Sequence, residues 1–426
     1  MTEGDINNYL IDFNNSCIQL QNMDLENIKN KFKRTKKLLR AYKTEIDPTE
    51  EQKALINRTI GTCRYIYNFY IAYNKEVYES EKKFVSGMDF SKWLNKEYIP
   101  SHEDFSWIKE VSSKAVKKSI MDAETAFKKF FKKQAGFPKF KKKNKSDVKM
   151  YFVKTDAKSV IKCERHRIKI PTLGWVRIKE KGFIPTDTDN FVIKSGTVSK
   201  RAGRYYVSVL VDQPDFQKVR QTGDGIGIDL GLKTFAVLSN GKVFKNINKT
   251  YRVRQLQKKL RREQRKLSRK YESLKKRNRK GDATRQNIQK QLVKVQKIHK
   301  RLNDIRTDYV NKCVNEVAKT KPEFVTIENL NIKGMMKNRH LSKAVSEMNF
   351  YTFRQKLTAK ARLQGFELRV AGRFFPSSKI CHKCGVYKSD LKLSDRWYKC
   401  DCGYENDRDF NASLNLRDLK VYETAS

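Results

Sequence analysis

The chain has 426 residues, with 93 Lys+Arg against 47 Asp+Glu, a formal net charge of +46. That length allows about two to four domains with sizeable cores, and so large a cationic excess calls for a polyanionic partner, nucleic acid before all others, because neutralising phosphates releases counterions. A membrane role is disfavoured: no apolar run approaches the roughly 18 residues of a spanning helix, and the chain opens on acids (Glu3, Asp5, Asp12) rather than a signal-peptide pattern.

A soluble intracellular protein is expected, and the cytoplasm is its expected place. The eight cysteines agree. Cys17, Cys63, Cys163 and Cys313 are scattered and read as free thiols, while the other four cluster between 381 and 402. That distribution suits a reducing compartment with one metal site.

Residues 1–34 form an acidic extension, with five acids and one lysine in the first thirty, and are expected to be partly disordered. TKKLLRAYKTEID (35–47) reads as a strand. Pro48 then opens a helix through PTEEQKALINRTIGTCRYIYNFYIAYNKEVYES, with acids in its first turn. Helical patterning returns at 88–97 and 112–133. GFPKFKKKNKSDVK (136–149) is a basic connection whose lysines interleave with Phe130, Phe131, Phe137 and Phe140. The phenylalanines suit either base stacking or a local core. From 150 to 214 apolar and polar residues alternate between turn residues, the pattern of an antiparallel barrel or sandwich.

GIGIDLGLKTFAVLSNGK (225–242) reads as two strands, with Asp229 inside the first. Burying that carboxylate is costly without a partner such as a divalent metal. Residues 251–310 carry 22 Lys/Arg against 5 Asp/Glu. Leu256, Leu260, Leu267 and Leu274 mark one helix, Gly281 and Asp282 a turn, and Ile288, Leu292, Val295, Ile298, Leu302 and Ile305 a second helix. The result is an αα-hairpin with a narrow apolar seam. Its self-repulsion favours a polyanion lying against it. KPEFVTIENL (321–330) is a further strand, with Glu328 near its end, and FELRVAGRFF a third.

Cys381-His-Lys-Cys384, then Cys400-Asp-Cys402, each pair followed by Gly, describe two knuckles of a structural zinc site. His382 lies between ligands and need not bind. ENDRDFNASLNLRDL follows, with Asp407 or Asp409 at a helix start, where an acid also serves as N-cap. Carboxylates at Asp229, Glu328 and Asp407 or Asp409, without histidines, suit Mg²⁺. Two such ions support phosphodiester hydrolysis.

GIDLGLKTFAVLSNG, TIENL and FPSSKICHKCG…CDCG…DRDFNAS resemble the three RuvC-like nuclease motifs and the zinc ribbon of TnpB. That family comprises RNA-guided DNA endonucleases of insertion sequences, related to type V CRISPR effectors. YIYNFY, WIKEVSSKAVKKSI, AFKKFFKK, GFPKFKKK and LGWVRIK extend the likeness over about residues 35–420. It implies an α+β multidomain protein: an RNase H-like RuvC nuclease interrupted by a zinc ribbon, plus an antiparallel β-barrel (wedge) with an inserted helical recognition domain. The wedge would span 35–47 and 141–222, the helical insertion 48–140, the nuclease 223–375 with the hairpin 249–310, the ribbon 376–404 and the last nuclease motif 405–426. Asp229, Glu328 and Asp409 would be the catalytic, magnesium-binding acids, since in the family's D-x-N pattern the acid two before Asn is catalytic. Cys381, Cys384, Cys400 and Cys402 would hold zinc. Guide RNA and double-stranded target DNA would be the partners, with Lys114, Lys117 and Lys118 near the target-adjacent motif. Two other readings use the same features: an RNA-guided DNA-binding repressor without cleavage, and a transposase-like strand-transfer protein. Intact acids weigh against the first, and joined DNA ends would mark the second.

Overall fold

The structure, a computed structural model, describes residues 38–143, 146–154, 161–187, 190–214, 220–277, 285–392 and 394–425. The acidic extension, residues 35–37 and the Gly281–Asp282 turn lie outside the described residues. The chain divides near residue 215 into two compact units. No helix among the described residues is long and apolar enough to cross a membrane.

In the first unit, β1 (Leu38–Asp47) leads to helix α1 (Glu50–Glu81). Thr49 starts the helix with a reciprocal cap: its hydroxyl accepts from the Gln52 amide at 3.3 Å, and the Gln52 side-chain carbonyl accepts from the Thr49 amide at 3.0 Å. Pro48 therefore stands one residue before the cap, not at the first helical position. Ile66, Tyr70 and Ile71 of α1 are buried against α2 (Gly87–Trp93) and α3 (Ser113–Phe131). Lys82, at φ 56°, ends α1.

The unit's strands β2 (Met150–Val153), β3 (Arg167–Ile170), β4 (Gly174–Ile178), β5 (Val192–Arg201) and β6 (Arg204–Gln213) join β1 in one sheet, in the order β2-β5-β6-β1-β4-β3. Every pairing in it is antiparallel. β1 is central, with Leu38 opposite Gln213 and Ile46 opposite both Tyr205 and Ile178. β2 and β3 are the edges, yet Phe152 of one and Ile168 of the other belong to the same buried cluster. The sheet is thus curled round its core as a half-barrel, where the sequence leaves a barrel or a sandwich open. Each fully buried Ile, Val or Phe in that core contributes about 1.5–3 kcal/mol.

In the second unit, β7 (Ile226–Leu230), β8 (Thr234–Leu238) and β9 (Val243–Lys245) form an antiparallel meander. A long excursion follows through α4 (Tyr251–Arg277) and α5 (Gln286–Lys319) before β10 (Phe324–Ile327). α6 (Phe350–Gln364) then leads to β11 (Glu367–Ala371). β10 runs parallel to both β7 and β11, as crossovers through helices require. β12 (Trp397–Lys399) and β13 (Glu405–Asp407) make a small hairpin. Helix α7 (Arg408–Arg417) and β14 (Tyr422–Thr424) finish the unit. The main sheet has the order β14-β11-β10-β7-β8-β9.

The α4–α5 seam is narrow: Val253, Ile298 and Leu302 are buried, with Leu256, Leu260 and Ile305 partly so. α5 does not stop with the hairpin. Its last turns bring Val310, Cys313, Val314, Val317 and Ala318 into the main core, with Phe353 and Leu357 of α6. At about 1.5 Å per residue this one helix both carries the basic hairpin and fills the core beneath the sheet.

Candidate active site and zinc centre

Alternation along β7 sends Ile226, Ile228 and Leu230 into the core shared with α5 and α6. Gly227 and Asp229 point to the other face. There α7 lies directly on the strand: a Cβ added to Gly227 would come 1.9 Å from the Ser413 carbonyl oxygen and 2.4 Å from the Arg417 nitrogen. Glycine is therefore what permits the helix to cross so closely. On the adjacent parallel strand, Thr326 is level with Gly227 and Ile327 with Ile228. One residue further, Asp229 and Glu328 come side by side at the carboxyl ends of their strands. Both are half-buried.

The first turn of α7 meets them there. Asp407 is its N-cap, accepting from the backbone amides of Asp409 at 2.9 Å and Phe410 at 3.1 Å. The two acids of D-R-D thus divide the work. Asp407 is exposed and spent on the cap, whereas Asp409 is half-buried and its negative charge acts on Asp229 and Glu328. Arg408, mostly buried, lies 3.5 Å from Asp409.

Burial pushes the Asp229 carboxyl well above the usual carboxylate range, and the neighbouring Glu328 and Asp409 add to this. Arg408 opposes the shift weakly. Burial also raises Glu328, against the Ser377 hydroxyl, which donates to Glu328 Oε1 at 2.8 Å. Three carboxylates held together against desolvation, with one arginine among them, form a site that a cation would stabilise. Hard oxygen donors of this kind suit ions that keep some of their waters.

The cysteine group consists of Cys381, Cys384, Cys400 and Cys402. Cys381 Sγ lies 3.6 Å from Cys402 Sγ and Cys384 Sγ 3.5 Å from Cys400 Sγ. Zn–S bonds of about 2.3 Å in a tetrahedron place sulfurs about 3.8 Å apart, so the four thiols fit zinc. The short second knuckle closes because Gly403 turns at φ 80° and its amide donates to the Cys400 carbonyl at 3.0 Å; Gly385 does the same at φ 76° in the first. His382 is not a ligand in this arrangement, its Nε2 lying 3.6 Å from Asp418.

The ribbon and the acids are tied through α7. Asn411, wholly buried, donates to the Ile380 carbonyl at 2.8 Å and accepts from the His382 amide at 3.2 Å. Asn415 donates to the carbonyls of Ser377 at 2.8 Å and Ile380 at 2.7 Å. One helix thereby positions Asp409, the first knuckle and the loop whose serine orients Glu328.

Comparison with known proteins accords with this layout. A family described as "Probable transposase" (OrfB of IS605) matches residues 206–339, which hold Asp229 and Glu328. A "Cas12f1-like, TNB domain" matches 350–416, which hold the four cysteines and Asp409. A "Putative RNA-guided DNA endonuclease" of Streptomyces pristinaespiralis is 30% identical over 384 residues, 88% of each chain. The chain belongs to the TnpB family. InsQ of Escherichia coli K12, a TnpB relative with the same endonuclease name, is 30% identical over 89% of this chain and 92% of its own. Among solved structures, Cas12f1 from its complex with sgRNA and target DNA superposes with a TM-score of 0.56 over 91% of this chain and 100% of that one, at 13% identity, a likeness of fold. A "Helix-turn-helix domain" matches 38–83, where this TnpB-family chain has β1 followed by the single unbroken helix α1.

Lys114, Lys117 and Lys118 fall on the exposed side of α3, opposite the buried Ala115, Val116, Ser119 and Ile120. Lys118 is paired with Asp122 at 2.8 Å. Ser377, Gly227, Asn411 and Asn415 were not singled out by residue type. All four sit inside quoted stretches, and Asn411 is the Asn of the D-x-N pattern, but only the contacts reveal what they do.

Proposed function

We propose that this protein is an RNA-guided DNA endonuclease of an insertion sequence, cutting double-stranded DNA beside a short target-adjacent motif. The observation that carries the reading is the convergence of Asp229, Glu328 and Asp409 from two parallel strand ends and one helix start. The sheet supports it: an antiparallel β9-β8-β7 meander extended by parallel β10 and β11 is an RNase H-like arrangement. In this reading the second unit is a RuvC-like nuclease interrupted by the ribbon, and the first unit is the wedge with its helical insertion.

Asp229, Glu328 and Asp409 would hold two magnesium ions. Magnesium held there would supply activation of a water and offset charge on the leaving oxygen of a phosphodiester. Ser377 holds one face of the Glu328 carboxyl, leaving the rest for the cation. Asp407 fixes the first turn of α7, and Asp409 gains from the helix N-terminus. Zinc at the cysteines would have a structural role, since no protein ligand position is left open. The net charge of +46 and the cation-rich α4–α5 hairpin suit a guide RNA and its target. Base pairing with the guide then supplies most sequence choice, as in effectors of this kind.

Purification from cells carrying the flanking DNA, followed by sequencing of bound RNA and Mg²⁺-dependent cleavage of a plasmid library with randomised flanks, tests this. A discrete RNA and motif-dependent double-strand breaks are expected. Joined DNA ends would favour strand transfer, and binding without breaks would favour the repressor.

A further inference from the structure

Helix α3 ends in a patch of rings and lysines that its own unit leaves in water. Phe127 is buried, and around it Phe84, Phe130, Phe131 and Phe137 each hold a ring centroid 5.3–6.1 Å from that of a neighbour. The outer sides of these rings are open: Phe131 is 55% exposed, and Phe140, further along the same connection, is 54% exposed. Residues 128–143 also carry eight lysines and no acid. Lys128 pairs with Glu124 at 3.2 Å, and Lys141 turns inward, its Nζ 3.6 Å from the centroid of the Tyr67 ring. The other six, Lys129, Lys132, Lys133, Lys139, Lys142 and Lys143, are exposed and make no ion pair among the described residues. The connection is fastened to α1, where Asn68 donates from Nδ2 to the Lys141 carbonyl at 3.0 Å and its Oδ1 accepts from the Lys141 amide at 2.7 Å. An anchored surface that is both aromatic and of one charge suits an acidic partner with apolar side chains between its charges.

The chain carries such a partner ahead of β1. Residues 1–28 hold five acids and no lysine or arginine, with Leu10, Phe13 and Leu20 between the charges. The 37 residues before Leu38 span up to about 120 Å when extended. That is roughly twice the combined length of β1 and of α1 as far as Asn68, so reach is no obstacle. Tethering gives the segment an effective concentration on the order of millimolar, enough to hold a surface that would bind the same free peptide weakly.

We propose that residues 1–28 lie on this lysine–phenylalanine surface at the end of α3 as the chain's own polyanion, and that a nucleic acid must displace them to bind there. Glu3, Asp5, Asp12, Asp24 and Glu26 take the free lysines, and the apolar residues between them cover Phe131, Phe137 and Phe140. The contact weakens the binding of a loosely held strand and is overcome by one that grips the chain at further points. It goes beyond the nuclease reading, and no cleavage is needed to observe it, so the two fail separately.

The test uses the complete chain, freed of nucleic acid at high salt and returned to low salt. A carbodiimide that joins carboxylates directly to amines is added, and the joined peptides are mapped by mass spectrometry. Links from the acids of residues 1–28 to the lysines of 129–143 are expected, and saturating oligothymidylate should reduce them at least about fivefold. No such links would overturn the proposal. So would links found only between ordinary and isotope-labelled chains in a mixture, which would make a second copy the donor of the segment. Binding of labelled oligothymidylate supplies the second readout. Changing the five acids together (Glu3→Gln, Asp5→Asn, Asp12→Asn, Asp24→Asn and Glu26→Gln) should tighten binding about tenfold. In a chain that also carries Lys132→Gln, Lys139→Gln and Lys142→Gln, the same change should gain less than about twofold, because acids and lysines act through one contact. An equal gain in both backgrounds would mean that the acids act only through the overall charge, and would overturn the proposal. The three lysines are exposed, so an unchanged melting temperature separates a lost contact from a folding defect, and the links in the unaltered chain depend on no variant.

Discussion

Asp229 and Glu328 occupy neighbouring strand ends, so the second charge at this site is always harder to create than the first. Burial, then Glu328 and Asp409, hold the Asp229 carboxyl protonated to higher pH than in the unfolded chain. A group whose folded pKa is raised in this way stabilises the fold at low pH, and the contribution is lost as pH rises through the folded pKa. At neutral pH and without magnesium, the carboxylate cluster therefore costs stability. Asp229→Asn keeps the shape and removes a charge. In magnesium-free buffer it should raise the melting temperature by about 3 °C at pH 7. The gain should vanish near pH 4, where the wild-type carboxyl keeps its proton. Magnesium should raise the melting temperature of the wild type and not of the variant. A variant no more stable than the wild type at pH 7 would contradict this electrostatic account. At this scale the sequence offered residue types, and a carboxylate inside an apolar strand was conspicuous. Gly227 and Ser377 were not, because their roles lie in one close approach and one hydrogen bond across 49 residues.

Periodicity marked most elements, and where it misled the reason is visible. The basic hairpin was expected to end near 310, but α5 runs to Lys319, since its apolar residues broaden from a seam to a face as it enters the core. The sheet of the first unit left barrel and sandwich open, because alternation reports which residues face inward and not whether the edges meet. Helix α7 shows how elements are coupled. Its N-terminus follows directly from the ribbon's β12–β13 hairpin, and Asn411 and Asn415 fasten it to the segment 377–382. Loss of zinc should therefore reach the acids. Cys381→Ser, or zinc removal by a chelator, should lower the melting temperature and slow cleavage at least about tenfold, while bound RNA persists. Cleavage restored by added zinc in the chelated wild type would place the defect in the ribbon. Unchanged melting and full activity in Cys381→Ser would remove the structural role of zinc.

Across the whole chain, 93 cations against 47 acids announce a polyanion without saying which. What narrows the partner is the family, together with a carboxylate cluster at the strand ends of a mixed sheet. Motif order in the sequence foretold that the acids lie far apart in the chain, at 229, 328 and 409. Only the parallel register of β7 and β10, and the crossing of α7 over Gly227, explain how they meet. On the proposed reading these three acids cut while the neighbouring Asp407 only caps a helix. The most direct measurement is single-turnover cleavage by the RNA-loaded protein, alongside target binding, for Asp229→Ala, Glu328→Gln, Asp409→Asn and Asp407→Asn. The first three should lose cleavage by more than about a thousandfold and still bind the target, since positioning and chemistry use different groups. Asp407→Asn should stay within about twofold, because asparagine caps as well as aspartate. Full cleavage by Asp409→Asn with none by Asp407→Asn, or cutting by Asp229→Ala at the wild-type rate, would contradict the account.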